Sequence, residues 1–246
     1  VGIDVSKQTL DVAFIEVHNA ERSQPSWKEF DNNEKGLSSM KTWLQNNQVG
    51  LDGNTLFVIE NTGLYHRRLM DFCNKHQLQL CVENGAQVKW SLGIARGKSD
   101  KVDSRRLATY AVRFADRLKP ATALQEGIQA IKDLITLRNR HIVQLSSLRS
   151  HLKELKATTD GKAVKDLQKL HDPLMKAMKA AIQKIEAAII KKIQDNAVTK
   201  KQYHLLLSIP CIGPVTATYL IACTNAFTLC STGKQLACYC GVVPFE

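Results

Sequence analysis

The apolar residues of this chain change their spacing once, near residue 120. Before that point they come in short β-branched runs such as VGIDVS, LDVAFIEV, TLFVIE and QLQLCVE. After it they recur at intervals of three, four and seven. A strand alternates side chains between two faces and a helix repeats every 3.6 residues, so the two patterns require different layers. The spacing therefore predicts an α/β part over 1–120 and an all-α remainder.

Within the first part, VGIDVS and LDVAFIEV flank a polar SKQT break and read as a hairpin, with SWKEFDN as a third strand. Leu37, Met40 and Leu44 then share a helical face, TLFVIE is a buried strand ended by NTG, and GLYHRRLMDFCNKH is amphipathic through Leu64, Leu69 and Phe72. QLQLCVE is a strand, and SDKVDSRRLATYAVRFADRL a helix with Ser99 as its N-cap. The order β-β-β-α-β-α-β-α predicts a mixed sheet covered by helices.

Beyond residue 120, Leu124, Ile128, Ile131, Ile135, Ile142, Leu145 and Leu152 mark one helix. After TTDG, Leu167, Leu170, Leu174, Met178, Ile182, Ile185, Ile189 and Ile193 mark a second, which Pro173 is expected to kink or restart. Residues 121–200 thus form a long antiparallel helical hairpin, a coiled coil. Imperfect heptads suit either packing within the chain or pairing with a second copy. Residues 201–246 are nearly uncharged and read as a small helical C-terminal domain, in which LLLSIPCIGPVTATYL gives helix, turn and helix. That turn, with Gly213 beside the second helix, either presents N–H groups to a phosphate or simply connects two helices.

Charge is regional. Residues 1–88 carry 8 basic and 11 acidic groups, whereas 89–120 carry 9 and 3. An acidic first part followed by a basic stretch fits a protein that grips nucleic acid beside a carboxylate site, although a solvated lysine-rich face gives the same count. No apolar run reaches the length of a membrane span and the first residues are unlike a secretory signal, so no membrane partner is expected and a soluble, cytoplasmic protein is. Seven unevenly spaced cysteines suit free thiols better than a disulfide framework. No CxxC pair, HExxH or GxxxxGK[ST] loop is present, which turns attention to the acids.

Asp4 interrupts an apolar strand and Glu60 closes another, and a charge in such a run is costly unless paired or bound to a cation. Asp100 and Asp103, three residues apart, share a helix face inside the basic run RGKSDKVDSRR. As acids in a first turn they serve equally well as helix caps. As a set of four, however, they offer the hard oxygen donors that Mg²⁺ prefers, and a pair of such ions about 4 Å apart suits phosphodiester cleavage. Arg96, Lys98, Lys101, Arg105 and Arg106 would then hold the phosphate backbone.

GIDVSK, IENTG, KSDKVDSRRLA, the helical hairpin, and SIPCIGPVTA followed by FTLCSTGKQLACYCGVVP stand in one order. Together they resemble the DEDD transposases of bacterial insertion sequences, the insertion-sequence-110 family related to the Piv invertases. The resemblance implies a RuvC-like domain of the ribonuclease H fold, a coiled-coil insertion and a C-terminal transposase domain. It implies that Asp4, Glu60, Asp100 and Asp103 bind Mg²⁺, with Mn²⁺ as a substitute. It also implies DNA as partner, both element ends and target, a structured non-coding bridge RNA as guide, and a homo-oligomer, dimer or tetramer, with the hairpin as the pairing element.

The sequence departs from the family pattern twice. Cys211 stands where relatives commonly have glycine. The family's catalytic serine lies beyond GVVP, and neither Ser208 nor Ser231 matches its position, so a fragment lacking that step is expected. Two other readings use the same residues: a metal-dependent junction-resolving nuclease, and a non-catalytic nucleic-acid-binding module.

Overall fold

The computed structural model describes the chain except residues 19–20, 54, 94–98, 160 and 244–246. It forms two compact units, Val1–Ala123 and Leu124–Glu246.

In the first unit the strands are β1 (Gly2–Val5), β2 (Thr9–Phe14), β3 (Val17–His18), β4 (Glu21–Arg22), β5 (Ser26–Asp31), β6 (Leu56–Glu60) and β7 (Gln79–Glu83). The helices are α1 (Glu34–Asn46), α2 (Arg67–Lys75), α3 (Gly85–Ser91) and α4 (Asp100–Arg113). The main sheet runs β5-β2-β1-β6-β7. The first three pair antiparallel in it, and β6 and β7 add parallel to β1. This is the mixed, helix-covered sheet that the hydrophobic pattern predicts. The short β3–β4 ribbon is an addition; two exposed residues per strand leave no periodicity to read.

Both faces of the sheet are packed. Ile3, Val5, Leu10, Val12, Phe57 and Ile59 meet Leu37, Met40 and Leu44 of α1 and Leu69 and Cys73 of α2. On the other face Val58 and Cys81 meet Val88 of α3 and Leu107, Tyr110 and Ala111 of α4. Gly2 allows α4 to lie directly on β1, since a Cβ there would stand 2.1 Å from the Ala108 nitrogen and 2.4 Å from the Ser104 oxygen. Ser99 caps α4 through its side chain, which accepts from the Val102 N–H. α2 starts three residues later than Leu64 suggests, and Leu64 faces solvent. The chain turns through Gly63, at φ 67°, before the helix can begin.

The second unit contains α5 (Ile128–Thr158), α6 (Gly161–Gln194), α7 (Ala197–Leu207), α8 (Pro214–Cys223) and α9 (Gly233–Tyr239). α5 and α6 lie side by side, each about 45–50 Å long, and are tied by Arg138, whose Nε and Nη2 both reach Glu186 Oε1 at 2.7 Å. The main core sits where Ile128, Ile131 and Ile135 meet Ile185, Ile189 and Ile193 and are closed off by Tyr203, Leu206, Ala217 and Ile221. Two expectations are corrected here. α6 runs through Pro173 without restarting; Lys169, whose carbonyl the proline deprives of its helical partner, is exposed, so that carbonyl can turn to solvent. Leu167, Leu170 and Leu174 are exposed rather than packed. Their spacing is helical, but the packed stripe of α6 runs through Val164, Ile185, Ile189 and Ile193.

The turn between α7 and α8 holds Cys211 at φ 71°, a left-handed conformation that costs a β-carbon residue about 1–2 kcal/mol. Cys211→Gly should therefore stabilise the protein by about 0.5–1 kcal/mol after allowing for the greater freedom of glycine in the unfolded chain. Urea denaturation checks this as a higher midpoint with an unchanged slope.

Candidate acidic site

Strand register alone brings acids into a row. Asp4 on β1 pairs with Asp11 on β2, and Asp11 pairs with Glu29 on β5. On the other side, Glu60 lies one residue beyond the Ile3–Ile59 pair and is itself paired with Glu83 on β7. Directly opposed residues share a face of the sheet, so like charges along such a row are destabilising without compensation. The face is the one on which α4 packs, because Gly2 and Val58, two residues before Asp4 and Glu60, contact that helix. Asp100 and Asp103 occupy the first turn of α4.

The electrostatics show which of these carboxylates feel one another. Burial raises the Asp4 carboxyl from its ordinary 3.8 to about 6, and the charges of Asp100, Asp103, Glu60 and Asp11 add to the effect. Burial likewise raises Glu60, with Asp103 adding and Arg106 opposing. All four sequence-predicted acids therefore lie within electrostatic reach on one side of the sheet. Among the described residues no three Asp, Glu, His or Cys side chains stand close enough to enclose an ion as they are placed. The donor set nevertheless suits a hard cation: it consists of carboxylates, and its members disfavour one another's charge until a cation offsets it.

Supporting contacts fix the strands and helices that carry the acids. The Asn32 amide, 5% exposed, donates to the Ser6 oxygen at 2.8 Å and to the Tyr65 oxygen at 2.9 Å. It thereby ties together the loops that follow β1 and β6. Gly85, at the start of α3, leaves room for Glu60, whose Oε2 would stand 2.7 Å from a Cβ there. Tyr110 of α4 donates to Glu83 Oε2 at 3.2 Å. His66 is buried, and its Nδ1 accepts from the Thr62 N–H, so it is structural, whereas Tyr65 is exposed.

Of the basic residues expected to hold phosphates, Lys101 sits 4.6 Å over the Trp27 ring. Arg106 donates to the Gly93 oxygen at 3.0 Å, and Arg105 reaches the Pro25 oxygen at 3.5 Å. Arg96 and Lys98 lie outside the described residues. Gly213 belongs to the second unit, where its backbone begins α8. Ser208 Oγ donates to the Leu205 oxygen and Ser231 Oγ to Gln235 Oε1, which gives neither an activating base. The buried Cys73 and Cys81 thiols are pushed up to about 12 and about 11, mainly by desolvation, and behave as packing groups.

Sequence reasoning missed three acids of the row, Asp11, Glu29 and Glu83. Asp11 is 3% exposed and accepts from Trp27 Nε1 at 2.9 Å. Its carboxyl is raised by burial, and the Trp27 bond opposes the rise. Asp11 interrupts an apolar strand just as Asp4 does, so the same criterion applied to β2 would have found it. Glu83 ends its strand in a polar context, and only the register connects it to Glu60.

The first unit is thus a mixed α/β domain with a row of carboxylates on the sheet face that α4 covers. Residues 1–158 match the family model of the DEDD transposases of the IS110 type, and residues 203–246 match the model described as Transposase IS116/IS110/IS902 family. The chain belongs to the IS110 family of transposases. No curated protein matches it. Among the described residues no helix is long and apolar enough to cross a membrane.

Proposed function

We propose that Asp4, Glu60, Asp100 and Asp103 hold Mg²⁺, one ion or a pair, and that the chain cleaves and exchanges DNA strands as the recombinase of a mobile element. The observation that carries this reading is the Asp4 carboxyl, raised to about 6 at the meeting point of acids from β1, β6 and α4. Bound Mg²⁺ would stabilise charge on the attacking and leaving oxygens of a phosphodiester. The chain's own part is to present these oxygens from rigid elements. Lys101, Arg105 and Arg106 on α4, with Arg96 and Lys98, hold the DNA backbone beside them.

The strand order, with β2 antiparallel between β1 and β5, supports a RuvC-like domain of the ribonuclease H fold over 1–120. Residues 121–200 serve as a coiled-coil hairpin through which copies pair. Residues 201–246 open a C-terminal transposase domain whose Gly213 turn contacts nucleic acid. A bridge RNA supplies target choice, in keeping with a protein that reads mainly backbone and shape.

The test is a DNA strand-cleavage assay. Cleavage should require Mg²⁺ or Mn²⁺, and Asp100→Asn should lower its rate by roughly three orders of magnitude, the worth of several kcal/mol of charge stabilisation. An Asp100→Asn protein that cleaves at the normal rate would end the metal reading.

A further inference from the structure

Two rows of residues cross the sheet on the face that α4 covers. Register places Gly2, Ala13 and Trp27 in one row and Asp4, Asp11 and Glu29 in the next. Gly2 lies directly under Ser104, Leu107 and Ala108 of α4, and Ala13 beside it is fully buried. Trp27 is the large member of that row. Lys101, one turn before Ser104, places its Nζ 4.6 Å from the centre of the Trp27 ring, inside the about 6 Å over which a cation is drawn to an aromatic face. Arg105, one turn on from Lys101 and on the same face of the helix, reaches the Pro25 oxygen at 3.5 Å. Both side chains tie α4 to the β5 edge of the sheet.

The Trp27 ring is itself held. Its Nε1 donates to Asp11 Oδ1 at 2.9 Å, along the diagonal of the β2–β5 pair. Asp11 is 3% exposed, and a carboxylate so buried requires such a donor. Asp11 also stands directly opposite Asp4. Asp100 immediately precedes Lys101, and both Asp100 and Asp103 lie in the first turn of α4 and act on Asp4 through their charge. Whatever fixes Lys101 therefore fixes the turn that presents these two acids to β1.

We propose that Asp11 is a positioning residue of the acidic site: through the Trp27 indole and Lys101 it sets where the first turn of α4 lies, and so where Asp100 and Asp103 stand relative to Asp4. This role, which rests on the Mg²⁺ reading of the four acids, is that of a support behind the ligands and not of a further ligand. Partners of that kind orient the donor atoms and are worth about 10–100-fold in metal affinity. Lys101 then serves the helix as well as the DNA backbone.

The test is Mn²⁺ binding by the full chain at pH 8, read as loss of the free-ion signal in electron paramagnetic resonance, with metal-free urea denaturation of each variant as a measure of the fold. Asp11→Ala removes the acceptor and should weaken Mn²⁺ binding about tenfold or more. Asp11→Asn loses the same charge but keeps an oxygen for the indole, and should stay within about threefold of the wild type. Lys101→Met removes the ammonium and keeps the side chain's length. By charge alone, loss of a cation near the site tightens Mn²⁺ binding; loss of the anchor weakens it, by an expected factor of about three or more. Lys101 is exposed, so this variant decides the matter even where Asp11→Ala does not fold. Asp11→Asn that binds as weakly as Asp11→Ala would make Asp11 a ligand and overturn the positioning role. Unchanged or tighter binding by Lys101→Met would overturn it too, as would wild-type Mn²⁺ affinity in Asp11→Ala at any urea midpoint. A wild-type chain that binds no Mn²⁺ would instead overturn the cation site, and this role with it.

Discussion

Asp4→Asn is expected to make the metal-free protein more stable above about pH 6 while removing its response to Mg²⁺. The folded carboxyl titrates near 6 against an ordinary 3.8, so the folded state holds its proton through a pH range in which the unfolded chain releases it. Stability from Asp4 is fully present below 3.8 and is lost as pH rises through about 6. Because Asp4 is only partly buried, solvent screening reduces the effect to about 1–2 kcal/mol. Asparagine has nearly the same shape and no charge, and relieves that cost. In the wild type, Mg²⁺ at about a hundred times its dissociation constant should add roughly 2.7 kcal/mol. The gain should be large at pH 8 and small at pH 5, where protons compete for the same oxygens. Thermal denaturation of both proteins at the two pH values, with and without Mg²⁺, checks the whole pattern. An Asp4→Asn protein that is less stable at pH 8 and still responds to Mg²⁺ would contradict it.

The second large effect concerns a residue with no side chain. Gly2→Val should destabilise the first unit by about 3 kcal/mol or more, at the upper end of overpacking. The added Cβ would meet the Ala108 nitrogen at 2.1 Å, the Ser104 oxygen at 2.4 Å and the Leu107 carbonyl carbon at 2.6 Å. All three are backbone atoms of α4, so no rotamer change relieves the clash and the helix must move off β1. Gly2→Ala should act in the same direction with a smaller loss. Since α4 also carries Asp100 and Asp103, any folded Gly2→Val protein should bind Mg²⁺ weakly as well. Urea denaturation gives the first quantity and a metal titration the second. An unchanged midpoint would mean that α4 does not rest on β1 through Gly2.

Much of this was legible from local pattern. The β-branched runs marked four strands of the main sheet and SWKEFDN the fifth, and Ser99 before two aspartates marked the start and cap of α4. Asp4 and Glu60 stood out because a charge in an apolar strand needs a reason. What the pattern did not contain was register. Glu83 becomes a neighbour of Glu60 only when β7 aligns with β6, and Gly2 matters only when α4 is laid across it. In the helical part, Leu167, Leu170 and Leu174 have the same helical spacing as the buried isoleucines, yet they are exposed. Periodicity states which residues share a face, and the packing partner decides whether that face is buried. Pro173 does not restart α6, and its cost depends on whether water can reach the carbonyl it leaves free.

Acids from β1, β6 and α4 are proposed to form a single cation site. Calorimetric titration of the full chain with Mn²⁺ at pH 8 tests it most directly, using wild type, Asp4→Asn and Asp100→Asn. Saturable binding to the wild type, lost in both variants although their substitutions lie on different elements, is the predicted result. Asp100→Asn protein that binds Mn²⁺ as the wild type does would show that α4 contributes no ligand, and the shared site would have to be abandoned.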